Sequence, residues 1–106
     1  MSKFMRVLIF FDLPVTSKEE RKCATRFRKA LLNDGFFMIQ FSLYGRICNT
    51  IESAKMHEER VSKFVPKCGS VRSLIVTEKQ YASIYVVSGK KVKKEIPAQN
   101  VQMSFL

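Results

Sequence analysis

The sequence predicts an α+β fold in which two helices cover one face of a four-stranded antiparallel sheet. Apolar residues recur with strand and helix periods in the order β-α-β-β-α-β over the first 89 residues. The first strand is apolar on both of its faces, which indicates the centre of a sheet. This is the ferredoxin-like arrangement, whose right-handed crossovers place both helices on the same side. We treat residues 1–89 as the ferredoxin-like domain and residues 90–106 as a basic linker with an extra C-terminal strand.

The first strand covers Arg6 to Asp12. Both alternating sets of its side chains are apolar, so both faces should be buried. Pro14 cannot donate a ladder hydrogen bond and disfavours helix in the residue before it, so the strand should end within a residue or two of Asp12. Asp12 then lies at the carboxyl end of a central strand, where α/β sheets commonly bind ligands. The alternative is that Asp12 serves only as a turn or cap residue.

The first helix is predicted over residues 17–34. Thr16 and Ser17 each precede a glutamate by three residues, which makes two overlapping capping boxes, and an Asn-Asp-Gly run supplies the stop signal. Its apolar stripe is Cys23, Ala24, Phe27, Ala30 and Leu31. Cations dominate the rest of the helix and favour phosphate contact over a merely solvated face: Lys18, Arg21, Lys22, Arg26, Arg28 and Lys29.

From Phe36 to Ile47 the pattern alternates with period two, which predicts one long second strand. A second helix follows, beginning at a capping box of Asn49 and Glu52 and closed by a proline and a glycine. His57 lies on or beside its apolar stripe. Because no cysteine or serine neighbour forms a nucleophile pair with it, a packing role is favoured over catalysis.

The remaining elements are short. Val71 to Thr77 is predicted as a third strand, residues 78–81 as a helical turn, and Ile84 to Val87 as a fourth strand. After a lysine cluster, alternation over residues 101–106 predicts a fifth strand on the chain's own sheet or on the edge of a partner's.

The two-faced first strand also predicts a homodimer. With both helices on one face of the sheet, Leu8 and Phe10 on the other face stay in water unless a second copy packs there. Asp12 lies on the same side and could approach its twin across a two-fold axis. Ser42 and Tyr44 should border this interface.

Composition narrows the functional classes. Nineteen Lys and Arg against nine Asp and Glu give a formal charge of +10, which attracts polyanions. Nucleic acid is favoured over an anionic membrane, because no helix pairs a basic face with an apolar insertion face. No segment is long enough for a membrane span and no signal-peptide cleavage pattern is found, so we expect a soluble cytoplasmic protein. Three cysteines without a Cys-x-x-Cys pair, and one histidine, exclude zinc and disulfide frameworks and predict reduced, mostly buried thiols.

Several short stretches, taken in order, resemble the small CRISPR-associated protein two family, the companion of the CRISPR integrase in spacer acquisition. The resemblance covers about the first 90 residues and is closest to the version beside single-effector, type II systems. One departure is Gly45, where a side chain is more usual, and it bears on the aim of Arg46. The matching stretches are Phe10-Phe-Asp12-Leu-Pro, Lys18-Glu-Glu-Arg21, Phe27-Arg28-Lys-Ala-Leu-Leu, Gly35-Phe, Gln40-Phe-Ser42-Leu-Tyr44, and Gly69-Ser-Val71-Arg72 running into Gln80-Tyr81.

The resemblance implies a homodimer in which Asp12 is the catalytic residue and the ligand of a divalent metal, usually Mg²⁺. Members of the family are described as metal-dependent endonucleases on RNA or DNA, and in spacer acquisition the dimer bridges two integrase dimers and holds duplex DNA. Two Asp12 carboxylates and a phosphate would suffice for Mg²⁺, which keeps several waters, and the metal could activate one of them. The residues expected to contact nucleic acid are Lys18, Arg21, Lys22, Arg26, Arg28 and Arg46.

Three functions remain open. The first is a CRISPR adaptation subunit that binds duplex DNA and bridges the integrase, with or without a weak, vestigial Mg²⁺-dependent endoribonuclease activity. The second is a free-standing, toxin-like metal-dependent ribonuclease. The third is a single-strand binder of the RNA-recognition-motif type, which is disfavoured because the third strand lacks the basic, glycine- and phenylalanine-rich run of such domains.

Overall fold

The computed structural model describes residues 4–88, so the predicted C-terminal strand lies outside the described residues. The ferredoxin-like prediction is confirmed: the first six elements follow the β-α-β-β-α-β order, and a short helix comes after them. The individual strands predicted from the sequence do not match this order, because two strands lie between the helices and one follows α2. The elements are β1 (Met5–Asp12), α1 (Lys18–Asn33), β2 (Phe37–Gln40), β3 (Leu43–Cys48), α2 (Ile51–Ser62), β4 (Ser70–Thr77) and α3 (Glu78–Ala82).

The four strands form one sheet in the order β2-β3-β1-β4, and every neighbouring pair is antiparallel. Strand β1 is central, as predicted, because it pairs with β3 on one side and β4 on the other. Val7 and Ile9 are completely buried, and Leu8 lies between Gly45 and Leu74 in the ladder. The apolar character of both faces of β1 is therefore explained by its place in the sheet.

The prediction of one long strand over residues 36–47 is wrong, because the segment is a hairpin of β2 and β3 that turns at Phe41 and Ser42. Ser42 is the one residue of this turn that is common in turns, and no glycine, proline, asparagine or aspartate accompanies it, so the sequence signal is weak. Tertiary contacts hold it instead. The Phe11 N–H donates to the Ser42 carbonyl at 3.0 Å, and Arg28 Nε donates to the Phe41 carbonyl at 3.3 Å.

The predicted strand at residues 84–87 is also wrong. This segment follows α3 directly and pairs with no strand within residues 4–88. Tyr85 and Val87 are 81% and 86% exposed, whereas Val86 between them is partly buried against Leu8 and Tyr81. The fourth strand of the sheet is β4.

Helices α1 and α2 pack on one face of the sheet and bury the main core between them. Three members of the predicted α1 stripe, Ala24, Phe27 and Leu31, are buried there, but Cys23 is exposed at the margin of the stripe. Cys68 is exposed as well, so only Cys48 bears out the expectation of buried thiols. The cluster comprises Val7, Ile9, Phe11, Phe27, Leu31, Phe36, Tyr44, Cys48, Ala54 and Val61.

Tyr44 belongs to this helix-side core, so its predicted place at a dimer surface is wrong. Its side chain is 2% exposed, and its ring centroid lies 5.6 Å from that of Phe11. The alternating pattern of the hairpin has an apolar set and a mixed set of side chains. The apolar set, which includes Ile39 and Leu43, faces away from the two helices, and Tyr44 takes the helix side.

Helix α3 covers part of the other face of the sheet. Leu8 is only 4% exposed because it packs with Tyr81 of α3, together with Ile39, Leu43, Val76 and Val86. The argument that Leu8 needs a second copy to leave water is therefore wrong. A short helix that the sequence indicated only as a turn already supplies the cover. Phe10, two residues further along β1, remains 39% exposed.

A buried ion pair fastens α3 to β1. Arg6 is completely buried and donates from Nε and Nη2 to the two carboxylate oxygens of Glu78, at 2.6 and 3.2 Å. The guanidinium also lies 4.0 Å from the ring centroid of Tyr81. Because a planar guanidinium pairs with a carboxylate through two parallel bonds, the orientation of the first residue of α3 is fixed.

His57 has the packing role that the sequence favours. It is 6% exposed, and its Nδ1 lies 2.8 Å from Oδ2 of Asp34, which follows α1. Arg60 Nη2 lies 2.7 Å from the other carboxylate oxygen of Asp34, and Arg46 Nε donates to the Asp34 backbone carbonyl at 2.8 Å. Asp34 thus joins the end of α1 to α2 and β3. No helix within residues 4–88 is long and apolar enough to cross a membrane.

Candidate functional site

Asp12 is the last residue of β1 and its side chain is exposed. It stands opposite Ser70 in the ladder, and side-chain alternation places it on the face that α3 partly covers. A shallow cavity of about 330 Å³ lies at this end of the sheet. Its polar lining consists of Asp12, Gln40, Ser42, Ser70 and Arg72, and its apolar lining of Phe10, Phe11 and Leu43.

Gly69, which directly precedes β4, packs closely against the backbone of Asp12. It has a φ of +93°, and a Cβ there would lie 2.6 Å from the Asp12 carbonyl oxygen and 2.8 Å from a Leu13 methyl carbon. Only glycine takes this conformation without strain and leaves room for so close an approach. Sequence reasoning treated Gly69 only as a helix stop, although its place just before β4 was the available signal.

The donor set at this cavity suits a hard divalent cation only in part. Asp12 contributes a carboxylate, and Gln40, Ser42 and Ser70 contribute neutral oxygens. Mg²⁺ takes oxygen ligands and keeps several waters, so one or two carboxylates with a phosphate are sufficient. Within residues 4–88 no three His, Cys, Asp or Glu side chains come together as a metal cluster. Among residues 4–88, Asp12 is the one carboxylate that lines this cavity.

Arg72 is the site residue that sequence reasoning missed. It pairs with Phe10 across β1 and β4 and lines the same cavity as Asp12. A guanidinium beside a metal-binding carboxylate can hold a phosphate oxygen through charge-assisted hydrogen bonds. The signal in the sequence was an arginine in a strand expected to lie beside β1, with a side chain on the face of Asp12.

The cations of α1 differ in whether their side chains contact other protein groups. Lys18, Lys22 and Arg26 are exposed. Arg21 is exposed too, but its Nη1 donates to the carbonyls of Val15 and Thr16 at 3.2 and 2.9 Å. The first three side chains are available to phosphate, whereas Arg21 also holds the loop that leads into α1.

Arg28 and Arg46 are engaged with protein groups. The Arg28 guanidinium carbon lies 3.7 Å from the ring centroid of Phe41. Arg46 donates to the carbonyls of Asp34 and Ile47 at 2.8 and 2.9 Å, and it is packed against Gly35, where a Cβ would meet its Nε at 3.0 Å. Arg46 thus supports the turn after α1, and its guanidinium binds backbone carbonyls of the protein instead of facing a nucleic acid.

Gly45, the departure noted in the sequence, has a steric explanation. A Cβ at this position would lie 2.9 Å from Ile39 Cδ1 and 3.3 Å from Leu8 Cδ2. The side chains of Ile39 and Leu8 therefore fill the space that another residue would need. Among the other predicted dimer residues, Phe10 and Ser42 are exposed at the rim of the Asp12 cavity.

Comparison with known proteins points to one family. The model of the family described as "CRISPR associated protein Cas2" matches residues 5–84. A CRISPR-associated endoribonuclease Cas2 from Ligilactobacillus salivarius (strain UCC118) is 51% identical over 90 residues, which cover 85% of this chain and 89% of that protein. The protein of the same name from Acidovorax ebreus (strain TPSY) is 49% identical over 100 residues, which cover 94% of this chain and 98% of the relative.

Proposed function

This chain belongs to the CRISPR-associated protein Cas2 family, and on that premise we propose that it is a Mg²⁺-dependent, endoribonuclease-type enzyme of CRISPR defence that acts as a homodimer. The observation that carries the proposal is the exposed Asp12 carboxylate, held by Gly69 and placed in one cavity with Arg72. Two relatives that match most of the chain are named endoribonucleases.

The proposal of a homodimer rests on the apolar side chains of the sheet that α3 leaves exposed. Leu8 is buried by α3, but Phe10 is 39% exposed and Leu74 is 51% exposed on the same face. A second copy placed against these two residues would remove their apolar surface from water, and it would bring a second Asp12 toward the first. The site would then hold two carboxylates, whereas residues 4–88 of one copy place a single carboxylate, that of Asp12, in the cavity.

The residues of this cavity have separate roles in phosphodiester hydrolysis. Asp12 of each copy would hold the metal, which, when bound, lowers the pKa of a coordinated water and neutralises charge on the leaving oxygen. Arg72 binds a non-bridging phosphate oxygen, and Gly69 keeps the Asp12 backbone in place. No histidine lies in the cavity, since His57 is bonded to Asp34 on the helix side of the sheet.

The test is cleavage of a labelled single-stranded RNA with Mg²⁺, compared between wild type and Asp12→Asn. We expect cleavage by the wild type that stops with a chelator, and none by the variant. The matched control is Glu52→Gln, because Glu52 is an exposed carboxylate in the first turn of α2, away from the cavity. Mg²⁺ should also raise the melting temperature of the wild type and of Glu52→Gln. If Mg²⁺ raises the melting temperature of Asp12→Asn by the same amount, Asp12 is a turn residue and not a metal ligand.

A second function, the bridging of a CRISPR integrase on duplex DNA, is favoured by the charge of +10 and by the exposed cations of α1. This role needs only Lys and Arg, so it should persist in Asp12→Asn. Reconstitution with the integrase on a short duplex, scored for complex formation and integration, tests it. A chain that cleaves RNA yet forms no complex would favour the free-standing ribonuclease instead.

A further inference from the structure

Phe41 is an unusual residue for the turn that it forms. It lies between β2 and β3, where small polar residues and glycine are typical, and its side chain is 65% exposed. Leaving a phenylalanine ring in water forgoes the gain from its burial. The ring is nevertheless held in place by its neighbours.

Arg28 fixes the ring from one side. Its guanidinium carbon lies 3.7 Å from the Phe41 ring centroid and 5.5 Å from that of Phe11, while its Nε donates to the Phe41 carbonyl at 3.3 Å. The guanidinium is therefore held between a core ring and an exposed ring. Phe41 is left with a fixed orientation and a large accessible surface beside a positive charge.

Phe41 is adjacent in the chain to residues of the Asp12 cavity, although its own ring is not part of the cavity lining. Its two sequence neighbours, Gln40 and Ser42, both line that cavity, and consecutive Cα atoms are about 3.8 Å apart. The Ser42 carbonyl accepts from the N–H of Phe11, the residue before Asp12, at 3.0 Å. The ring itself packs on Arg28 at the helix side of the sheet, so a bound strand would reach it by passing from the Asp12 cavity around the end of the sheet.

We propose that Phe41, backed by Arg28, stacks an unpaired base of a single-stranded nucleic acid whose phosphate lies in the Asp12 cavity. An exposed aromatic ring accepts any base, because every base has a π face, and the adjacent cation favours the polyanionic strand. Inside a duplex both faces of a base are covered by its neighbours, so the site selects strands that are unstacked at this position. The inference rests on the proposed nuclease function and names a residue that would recognise its substrate.

The absence of tryptophan from the sequence gives a direct test. Phe41→Trp introduces one tryptophan, which can be excited selectively over the three tyrosines, and binding is measured in the Asp12→Asn background without Mg²⁺, so that no cleavage occurs. The probes are an eight-nucleotide oligouridylate and an abasic strand of equal length. The control is Tyr85→Trp in the same background, at a position 81% exposed on the segment after α3.

We expect the oligouridylate to quench Phe41→Trp strongly, the abasic strand to leave its emission nearly unchanged, and Tyr85→Trp to respond weakly to both. Emission from Phe41→Trp that is unchanged at saturating oligouridylate, or that responds equally to the abasic strand, overturns the proposal.

Affinity provides the second readout. Phe41→Leu keeps an apolar side chain but removes the π face, and we expect it to weaken oligouridylate binding about tenfold while abasic binding stays the same. The control is Met38→Leu, at a 55% exposed position of β2, which should change neither affinity. Thermal melting confirms that each variant is folded. Equal affinity of Phe41→Leu and the unsubstituted protein for oligouridylate would mean that the ring serves only the turn or a protein partner.

These outcomes separate the stacking site from the nuclease. Base-dependent quenching in a protein that cleaves no RNA would leave the stacking site intact and refute the proposed activity. Normal RNA cleavage by Phe41→Leu, together with unchanged oligouridylate affinity, would refute the stacking site and leave the Asp12 nuclease standing.

Discussion

Replacing Gly69 by alanine tests whether the approach of β4 to β1 is what holds Asp12 in position. The new Cβ would lie 2.6 Å from the Asp12 carbonyl oxygen and 2.8 Å from Leu13 Cδ2, and the residue would keep a φ of +93°. An L-residue in the left-handed region costs about 1–2 kcal/mol, and overpacking adds about 1–3 kcal/mol. We expect the free energy of unfolding to fall by about 2–5 kcal/mol.

Two measurements follow from that estimate. Since about 1 kcal/mol shifts the melting temperature of a domain of this size by several degrees, Gly69→Ala should melt at least about 10 °C below the wild type. Relief of the clash requires a backbone shift that separates Gly69 from Asp12, because a backbone carbonyl cannot rotate away as a side chain can, and we expect Asp12 to share in that shift. Misplacement of a metal ligand by an ångström costs about 100-fold in rate, so RNA cleavage should fall by that order.

Gly45→Ala is the matched control. Its Cβ would meet methyl carbons of Ile39 and Leu8 at 2.9 and 3.3 Å, and these side chains can shift. We expect a loss of about 1 kcal/mol and retained cleavage, because this contact lies away from Asp12. The reasoning is refuted if Gly69→Ala melts and cleaves like the wild type, or if Gly45→Ala loses cleavage to the same extent.

Three further predictions concern other parts of the molecule. Glu78→Ala leaves the buried Arg6 guanidinium without its carboxylate and should cost about 3–5 kcal/mol in urea unfolding; a loss below about 1 kcal/mol would show that α3 is not fastened by this pair. Phe10→Asp should turn a homodimer into a monomer in light scattering, whereas an unchanged mass would place any interface elsewhere. Alanine at the exposed cations Lys18, Lys22 and Arg26 of α1 should weaken the salt dependence of duplex binding. The slope of log K against log salt concentration should fall by about 0.9 for each lost phosphate contact. An unaltered slope would mean that these side chains face bulk water.

The parts of the fold that periodicity decides could be predicted from the sequence. The central position of β1 follows from its two apolar faces, and α1 follows from its capping box, which the structure reproduces at Ser17 and Glu20. The β2–β3 hairpin could not be predicted, because Ser42 alone is a weak turn signal and the turn is held by Phe11 and Arg28, which are distant in sequence. Local pattern contains no trace of such contacts.

The candidate site was predictable in part for a similar reason. Asp12 is marked by its place at the end of an apolar strand, but Arg72 and Gly69 reach the site only through the pairing of β1 with β4. Arg46 and Tyr44 were predicted at the site but lie elsewhere in the structure. Their residue types suggest surface roles, yet a turn carbonyl and the packing of Phe11 draw them into the protein.

The pairing of β1 with β4 also sets the order in which the protein can be completed during synthesis. Strand β1 leaves the ribosome first, yet its final neighbour, Ser70–Thr77, comes almost at the end of the described chain. At roughly 5–20 residues per second, the edge of β1 that receives β4 waits several seconds without its partner. During that interval Val7, Leu8 and Ile9 form an apolar segment with unpaired backbone, the kind of edge that nascent chains join to one another. The strand that carries Asp12 is thus both the centre of the finished sheet and the segment of the nascent chain most in need of protection until β4 arrives.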